Sequence, residues 1–241
     1  MTLATLQYTD TRGDWTTPAG HRAVFAYRTE TNDWNTLSSI LTHDEYELPR
    51  GLSGTALDIG AYLGGVCIAL ALDNPDLHVI AVEPVPDNVR LIRESIEANG
   101  VGDRVTLIDG ALAGPKDKSI SIFYGYRGTV SLEHHAFVGN STLAYDTAGE
   151  TDHDERIVTP VTLTQILAGI DEVAWTKIDC EGGEYQILAD PGVRKLRYII
   201  GEWHNVRGHV QSDIATLLGK THDVTFAGPE NGPGEFRAVR R

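Results

Sequence analysis

From Thr55 onward, short β-rich apolar runs alternate with amphipathic stretches. This change of period, from two to about 3.6, is what a doubly wound α/β sheet imposes on its chain. The pattern predicts strands at 55–59, 78–82, 104–108, 119–124, 173–178, 197–201, 223–227 and 235–239. Helices are expected at 64–72, 86–99, 163–168, 184–189 and 210–218. The clearest is 86–99: Val89, Ile92 and Ile96 share one face, Pro86 suits a first turn and Asn99-Gly100 supplies a stop.

The first fifty residues follow another pattern. The stretch NDWNTLSSILTHDEYELP reads as helical and precedes the first core strand, so residues 1–50 are expected as a helical or irregular appendage to a domain at 51–241. Such an appendage could lie over a ligand pocket as a lid, or could simply cover an edge of the sheet. Residues 125–157 are polar and weakly periodic, and a long irregular insertion in a compact fold is more often functional than idle. AGPENGPGEF, residues 227–236, reads as a hairpin turn.

Composition narrows the partners. With 241 residues, 41% of them hydrophobic and 22% charged, the chain can bury a full core. A formal charge of −14 opposes a nucleic-acid partner, and RAVRR at the end is too small a basic patch to reverse that. The two cysteines, Cys67 and Cys180, sit in apolar segments and form no disulfide framework. No signal-peptide profile opens the sequence and no apolar run is long enough to cross a bilayer, so a soluble, cytoplasmic protein without a membrane partner is expected. The oligomeric state stays open, a homodimer included.

ALDIGAYLGG places Asp58, Gly60 and Gly64 where the first strand ends and its helix begins. In parallel sheets ligands gather beyond these strand ends, and glycines there let a ligand approach bare backbone. A plain structural turn reads the same way. A second element is Glu83, which ends the strand HVIAVEP and could accept both hydroxyl hydrogens of a ribose. Together they imply a nucleoside-bearing ligand. NAD would call for Gly-x-Gly-x-x-Gly, and Tyr62 stands at its second glycine. S-adenosylmethionine fits better: a helix start can take its carboxylate, and Asp58 could partner its ammonium directly or through water.

Three segments carry a family resemblance: Asp58-Ile59-Gly60-Ala61-Tyr62-Leu63-Gly64, Glu83-Pro84, and Lys177-Ile178-Asp179-Cys180-Glu181-Gly182-Gly183-Glu184. Over roughly residues 55 to 205 the chain resembles the FkbM-type S-adenosylmethionine-dependent methyltransferases, and the third segment is the most specific. One departure is Tyr62, where the family often has Asn. The resemblance implies a Rossmann-like class I methyltransferase fold: a mostly parallel seven-stranded sheet with an antiparallel C-terminal hairpin strand. It also implies a cofactor site built from Asp58, Gly60, Ala61, Tyr62, Gly64, Glu83, Pro84, Asp109, Gly110 and Asp179, with Ser131 of GTVSL approaching the substrate.

The acidic segment has its own physical reading. Asp179, Glu181 and Glu184 crowd one strand end and repel one another, so a cation is expected there: Lys177, a metal or a substrate amine. Glu184 could equally serve its helix N-terminus. The neighbouring strand end, IIGEWHN, brings Glu202, His204 and Asn205 to the same rim. Asp179, Glu202 and His204 would suit Mg²⁺ or Mn²⁺, or base catalysis. His204 is the preferred base, because an ordinary imidazole takes a proton at neutral pH; His43, His134 and His135 compete with it. Asp109 could meet the adenine amino group, and Glu181 the substrate. The expected function is O-methylation of a sugar or another small natural-product intermediate in a biosynthetic pathway, with His204, Asp179 and Glu202 as catalytic residues. An NAD-dependent oxidoreductase and a non-catalytic nucleoside-binding module are the alternatives.

Overall fold

The computed structural model describes residues 9–29, 31–114, 119–124, 154–204, 208–229 and 234–241. A hairpin opens it, β1 (Asp10–Thr16) and β2 (Arg22–Arg28), followed by α1 (Asp33–Thr42). Then come β3 (Gly54–Ile59), α2 (Gly65–Asp73), β4 (Leu77–Glu83), α3 (Pro86–Asn99) and β5 (Val105–Asp109). Next are β6 (Ile120–Tyr124), β7 (Asp154–Val158), α4 (Leu163–Ile166), β8 (Trp175–Ile178), α5 (Glu184–Leu188) and β9 (Tyr198–Trp203). The last elements are α6 (Gln211–Leu218), β10 (His222–Ala227) and β11 (Gly234–Arg240).

Seven strands form the main sheet in the order β10-β11-β9-β8-β3-β4-β5. The pairs β5–β4, β4–β3, β3–β8 and β8–β9 are parallel, and β11 runs antiparallel to both β9 and β10. This is the expected class I methyltransferase sheet. The chain starts its sheet at β3 and builds outward in both directions, so the order reverses between β3 and β8, where parallel sheets open a ligand crevice.

Alternation along the strands decides what reaches that crevice. Leu57, Ile59, Ile80, Val82 and Ile199 point into one apolar layer, with α4, α5 and α6. Ala56, Val79, Ala81, Trp175 and Ile200 point into the other, with α1, α2 and the opening hairpin. Continuing the second parity by twos leads to Asp58, Glu83, Lys177, Asp179 and Glu202. One face of the sheet thus carries the polar strand ends, and the first fifty residues pack on that face.

Two expectations change. The strand expected at 119–124 leaves the main sheet: among the described residues β6 pairs only with β7, in an antiparallel ribbon. Among the described residues of the first fifty, helix is confined to α1, and a hairpin precedes it whose Trp15, Ala23 and Phe25 are buried in the same cluster as α2. Among the described residues this hairpin pairs with neither edge of the sheet; β2 lies against α3. No helix of the described residues is long and apolar enough to cross a membrane.

Candidate active site

The loop after β3 is held by backbone hydrogen bonds: the N–H groups of Gly60 and Ala61 both donate to Val82 O, at 3.0 Å. Gly60 is required on two counts. Its φ is +80°, and a Cβ there would lie 1.8 Å from the carbonyl oxygen of Asp179. Tyr62 adopts φ +53° although it is not glycine, a costly conformation that its surroundings must hold. Its N–H donates to Glu83 Oε2 at 2.8 Å. Glu83 Oε1 accepts from Val85 N–H at 2.9 Å and from Asn88 Nδ2 at 3.2 Å. Burial pushes the Glu83 carboxyl up to about 7, against the pull of these donors.

A cleft of about 580 Å³, open to solvent, runs along this loop; Gly60, Ala61, Tyr62, Glu83, Lys177, Asp179 and Glu181 line it. Thr36, Ile40 and Tyr46 complete its wall from the first fifty residues. A second crevice, of about 390 Å³, adjoins it at Gly60 and Cys180 and is mainly apolar, with Val82, Pro84, Ala111, Leu112 and Ile122 among its walls.

Asp58 lies beneath the loop, fully buried, rather than on the cleft wall. Its Oδ2 accepts from Cys67 N–H at 3.1 Å in the first turn of α2, and its Oδ1 stands 3.8 Å from Lys177 Nζ. Burial raises its pKa, with Lys177 opposing. Lys177 donates to Gly60 O at 2.6 Å and stands 3.5 Å from Asp179 Oδ2. Burial disfavours its charge, but Asp179 and Asp58 outweigh that and hold its pKa above the ordinary lysine value. Tyr46 donates to Asp179 Oδ2 at 3.1 Å, with its ring beside the Lys177 ammonium.

The acidic cup lies next to Asp179. Glu184, fully buried at the start of α5, accepts at Oε1 from the N–H groups of Cys180 and Gly182 at 3.2 and 3.1 Å. Its carboxylate therefore shapes the turn that carries Glu181, itself at φ +54°. His204 is gripped between acids: Nδ1 lies 3.2 Å from Glu184 Oε1 and Nε2 3.4 Å from Glu181 Oε2. Burial works against its proton, but the hydrogen bond and charge of Glu184, with Glu181 and Asp179, prevail and raise its pKa to about 9. So placed, the ring holds its proton more firmly than an ordinary imidazole. Burial and Asp179 push Glu181 up to about 7, against His204. Glu202, raised first by Asp179 and then by burial, reaches about 8. Two carboxyls thus change charge near neutrality at the same rim.

The expected metal set also changes. Among the described residues, the donor atoms that converge, all within 4.8 Å of one another, come from Asp179, Glu181 and His204; Glu202 is not in that group. Of the other expected cofactor residues, Pro84 lines the apolar crevice, Gly64 precedes α2, and Gly110 donates its N–H to Glu83 O at 3.1 Å. Asp109 ends β5 opposite Glu83, where Arg156 of β7 donates to it at 2.7 Å and Arg93 lies at 3.6 Å. Ser131, His134, His135 and Asn205 lie outside the described residues. Sequence reasoning missed Tyr46 and Arg156, since no local pattern marks a residue for a contact 133 positions away, as from Tyr46 to Asp179, or 47 away, as from Arg156 to Asp109.

Solved methyltransferase structures are similar to this chain. The T. thermophilus 16S rRNA N2 G1207 methyltransferase, solved with AdoMet and guanosine, superposes with a TM-score of 0.51 at 13% identity, over 98% of this chain and 52% of that one. This chain thus spans about half that enzyme's length. The precorrin-6y C5,15-methyltransferase of Geobacter metallireducens GS-15 gives 0.47 at 15% identity, over 83% of this chain and 87% of the other. The C-terminal domain of the Rhodobacter capsulatus precorrin-6Y C5,15-methyltransferase gives 0.47 at 13%, over 90% and 94%. At such identities the likeness speaks for the fold alone. No curated protein sequence matches significantly. Residues 58–226, which hold the glycine loop, Glu83 and the acidic cup, match the methyltransferase FkbM domain, and the chain belongs to that family.

Proposed function

We propose that this protein transfers a methyl group from S-adenosylmethionine to a hydroxyl of a small polar acceptor, a sugar or a comparable biosynthetic intermediate. The cofactor would supply a methyl already activated on sulfonium. Several features support its fit. Bare backbone at Gly60 and Ala61 lines the polar cleft, Glu83 on the same wall would take the ribose hydroxyls, and the adjoining crevice by Pro84 and Ala111 would suit a flat purine. Asp109 and Gly110 lie at the neighbouring strand end, and Asp179, on the cleft wall, would stand between cofactor and acceptor.

The observation that carries the hydroxyl reading is the crowding of carboxyls around Asp179: Glu181 lines the cleft beside it, and Asp179 first, then burial, raises the nearby Glu202 carboxyl to about 8. A carboxylate of such basicity can take the proton of an alcohol as its oxygen is alkylated. Glu202 is the general base in this reading and Glu181 orients the acceptor. Asp179 is held by Tyr46 and Lys177, and His204 keeps the cup from repelling itself apart. The formal charge of −14 favours a small acceptor over a nucleic acid.

A methyl-transfer screen over glycosides, sugar nucleotides and amines, run with and without EDTA, tests this. Methylated hydroxyls are expected; methylation confined to amines or carbon acids contradicts it. Loss of activity in EDTA with recovery in Mn²⁺ assigns an ion to Asp179, Glu181 and His204. Activity that persists assigns the balancing charge to Lys177 and the His204 imidazolium.

A further inference from the structure

The matched family region begins at residue 58, yet two charged residues ahead of it are buried against the cleft. Arg28, at the end of β2, and Asp33, at the start of α1, have side chains with 0% exposure. They form a bidentate pair: Arg28 Nε to Asp33 Oδ2 at 2.8 Å and Arg28 Nη2 to Asp33 Oδ1 at 3.1 Å. From this pair two arms reach the cleft. Arg28 Nη2 donates to Asn88 Oδ1 at 2.9 Å, and Asn88 Nδ2 donates to Glu83. On the other side, the Tyr62 phenol donates to Asp33 Oδ1 at 2.6 Å, while the Tyr62 N–H donates to Glu83 Oε2. The circuit closes: Glu83, Asn88, Arg28, Asp33, Tyr62 and back to Glu83.

Burying an ion pair seldom stabilises a fold more than apolar packing would, so stability alone is a weak reason for this one. What the circuit does achieve is specific. It holds Tyr62 at its left-handed φ and fixes the Glu83 carboxylate by both oxygens, and both residues line the cleft. A rigid first layer needs a second layer to lock it. We infer that Asp33 and Arg28, with Asn88, are positioning residues for the nucleoside-binding cleft, so that the segment before the matched family region is part of the binding site. This rests on the proposed S-adenosylmethionine reading for its ligand, while the circuit itself does not.

The test uses Tyr62→Phe, which removes only the phenol oxygen and leaves the buried ion pair intact, with Asp33→Asn, the double variant and the exposed Asn35→Ala as control. S-adenosylhomocysteine affinity is measured calorimetrically on folded protein, together with kcat and KM for the methyl donor once an acceptor is in hand. Tyr62→Phe is expected to weaken binding about tenfold, the worth of one buried hydrogen bond to a charged group, mainly through KM. The double variant should weaken binding by less than the two single changes summed, because both act on the one Tyr62–Asp33 contact. Asn35→Ala should bind as wild type does. A merely structural role would lower the melting temperature and leave the affinity of folded protein unchanged, and that result overturns the inference. Should Asp33→Asn fail to fold, Tyr62→Phe still decides. Should wild type bind no S-adenosylhomocysteine, the cofactor reading fails separately. Amide hydrogen exchange then decides the circuit: Tyr62→Phe must speed exchange in residues 60–64 and 83–88 beyond the rest of the sheet, and uniform exchange refutes it.

Discussion

Replacing Gly60 by alanine probes the crossing of the two strand ends on which the site is built. The new Cβ would sit 1.8 Å from Asp179 O, and real contacts of that kind are not found under 3.0 Å, so the two backbones must part by about 1.2 Å. Holding alanine at a left-handed φ costs about 1–2 kcal/mol, and shifting packed backbone about 1–3 kcal/mol more. For a chain of this size each kcal/mol lowers the melting temperature by roughly 2–4 °C, which gives a fall of roughly 4–20 °C. Gly100→Ala is the matched control. Gly100 has φ +64° at the end of α3 but open space where its Cβ would point, so only the conformational cost applies. Differential scanning calorimetry and S-adenosylhomocysteine titration on both variants separate strain from collision. Gly60→Ala should melt lower than Gly100→Ala and lose most of its binding, since a misplacement of about 1 Å can cost 10²-fold in function. Equal melting temperatures and wild-type binding in both variants would refute the close crossing of Gly60 and Asp179.

Other expectations follow from the charges in the cup. Glu202→Gln should lower kcat by about 10²–10⁴-fold and remove the rising limb near pH 8 from the rate profile; a retained limb would assign the base elsewhere. His204→Ala should slow turnover while sparing S-adenosylhomocysteine affinity, and equal loss of both would make His204 structural. Thermal stability should fall as pH rises from about 5 to 9. Glu83, Glu181, Glu202 and His204 all have folded values above their ordinary ones, so the native state holds extra protons. The stability they contribute is complete below the unfolded values and is lost between about 4.5 and 8 for the carboxyls, and up to about 9 for His204. A melting temperature that climbs over this range would contradict the charge states assigned to the cup.

What could be read in the chain was local or periodic. The α3 boundaries follow from Pro86, Asn99-Gly100 and the spacing of Val89, Ile92 and Ile96, and the structure has the helix at Pro86–Asn99. The strand-end acids were legible because alternation from Ala56, Val79, Trp175 and Ile200 carries through to them. Three features were beyond such reading. The hairpin β1–β2 was missed because Asp10, Arg12, Gly13 and Asp14 interrupt any apolar alternation in its first strand. The escape of β6 from the main sheet depends on its partner, β7, which follows a long insertion. The protonation of His204 is set by Glu184 and Glu181, and their distances to the ring exist only once β8 and β9 lie side by side. Residue type alone suggested a base; the surroundings raise its pKa.

On the proposed reading, bare backbone at Gly60 and Ala61, with Glu83, receives a sulfonium nucleoside. Calorimetric titration of folded wild-type protein with S-adenosylhomocysteine tests it most directly. The account expects saturable binding of one molecule per chain, abolished by Glu83→Ala and unaffected by added NAD. Heat indistinguishable from buffer dilution, from protein with a cooperative melt, would contradict it.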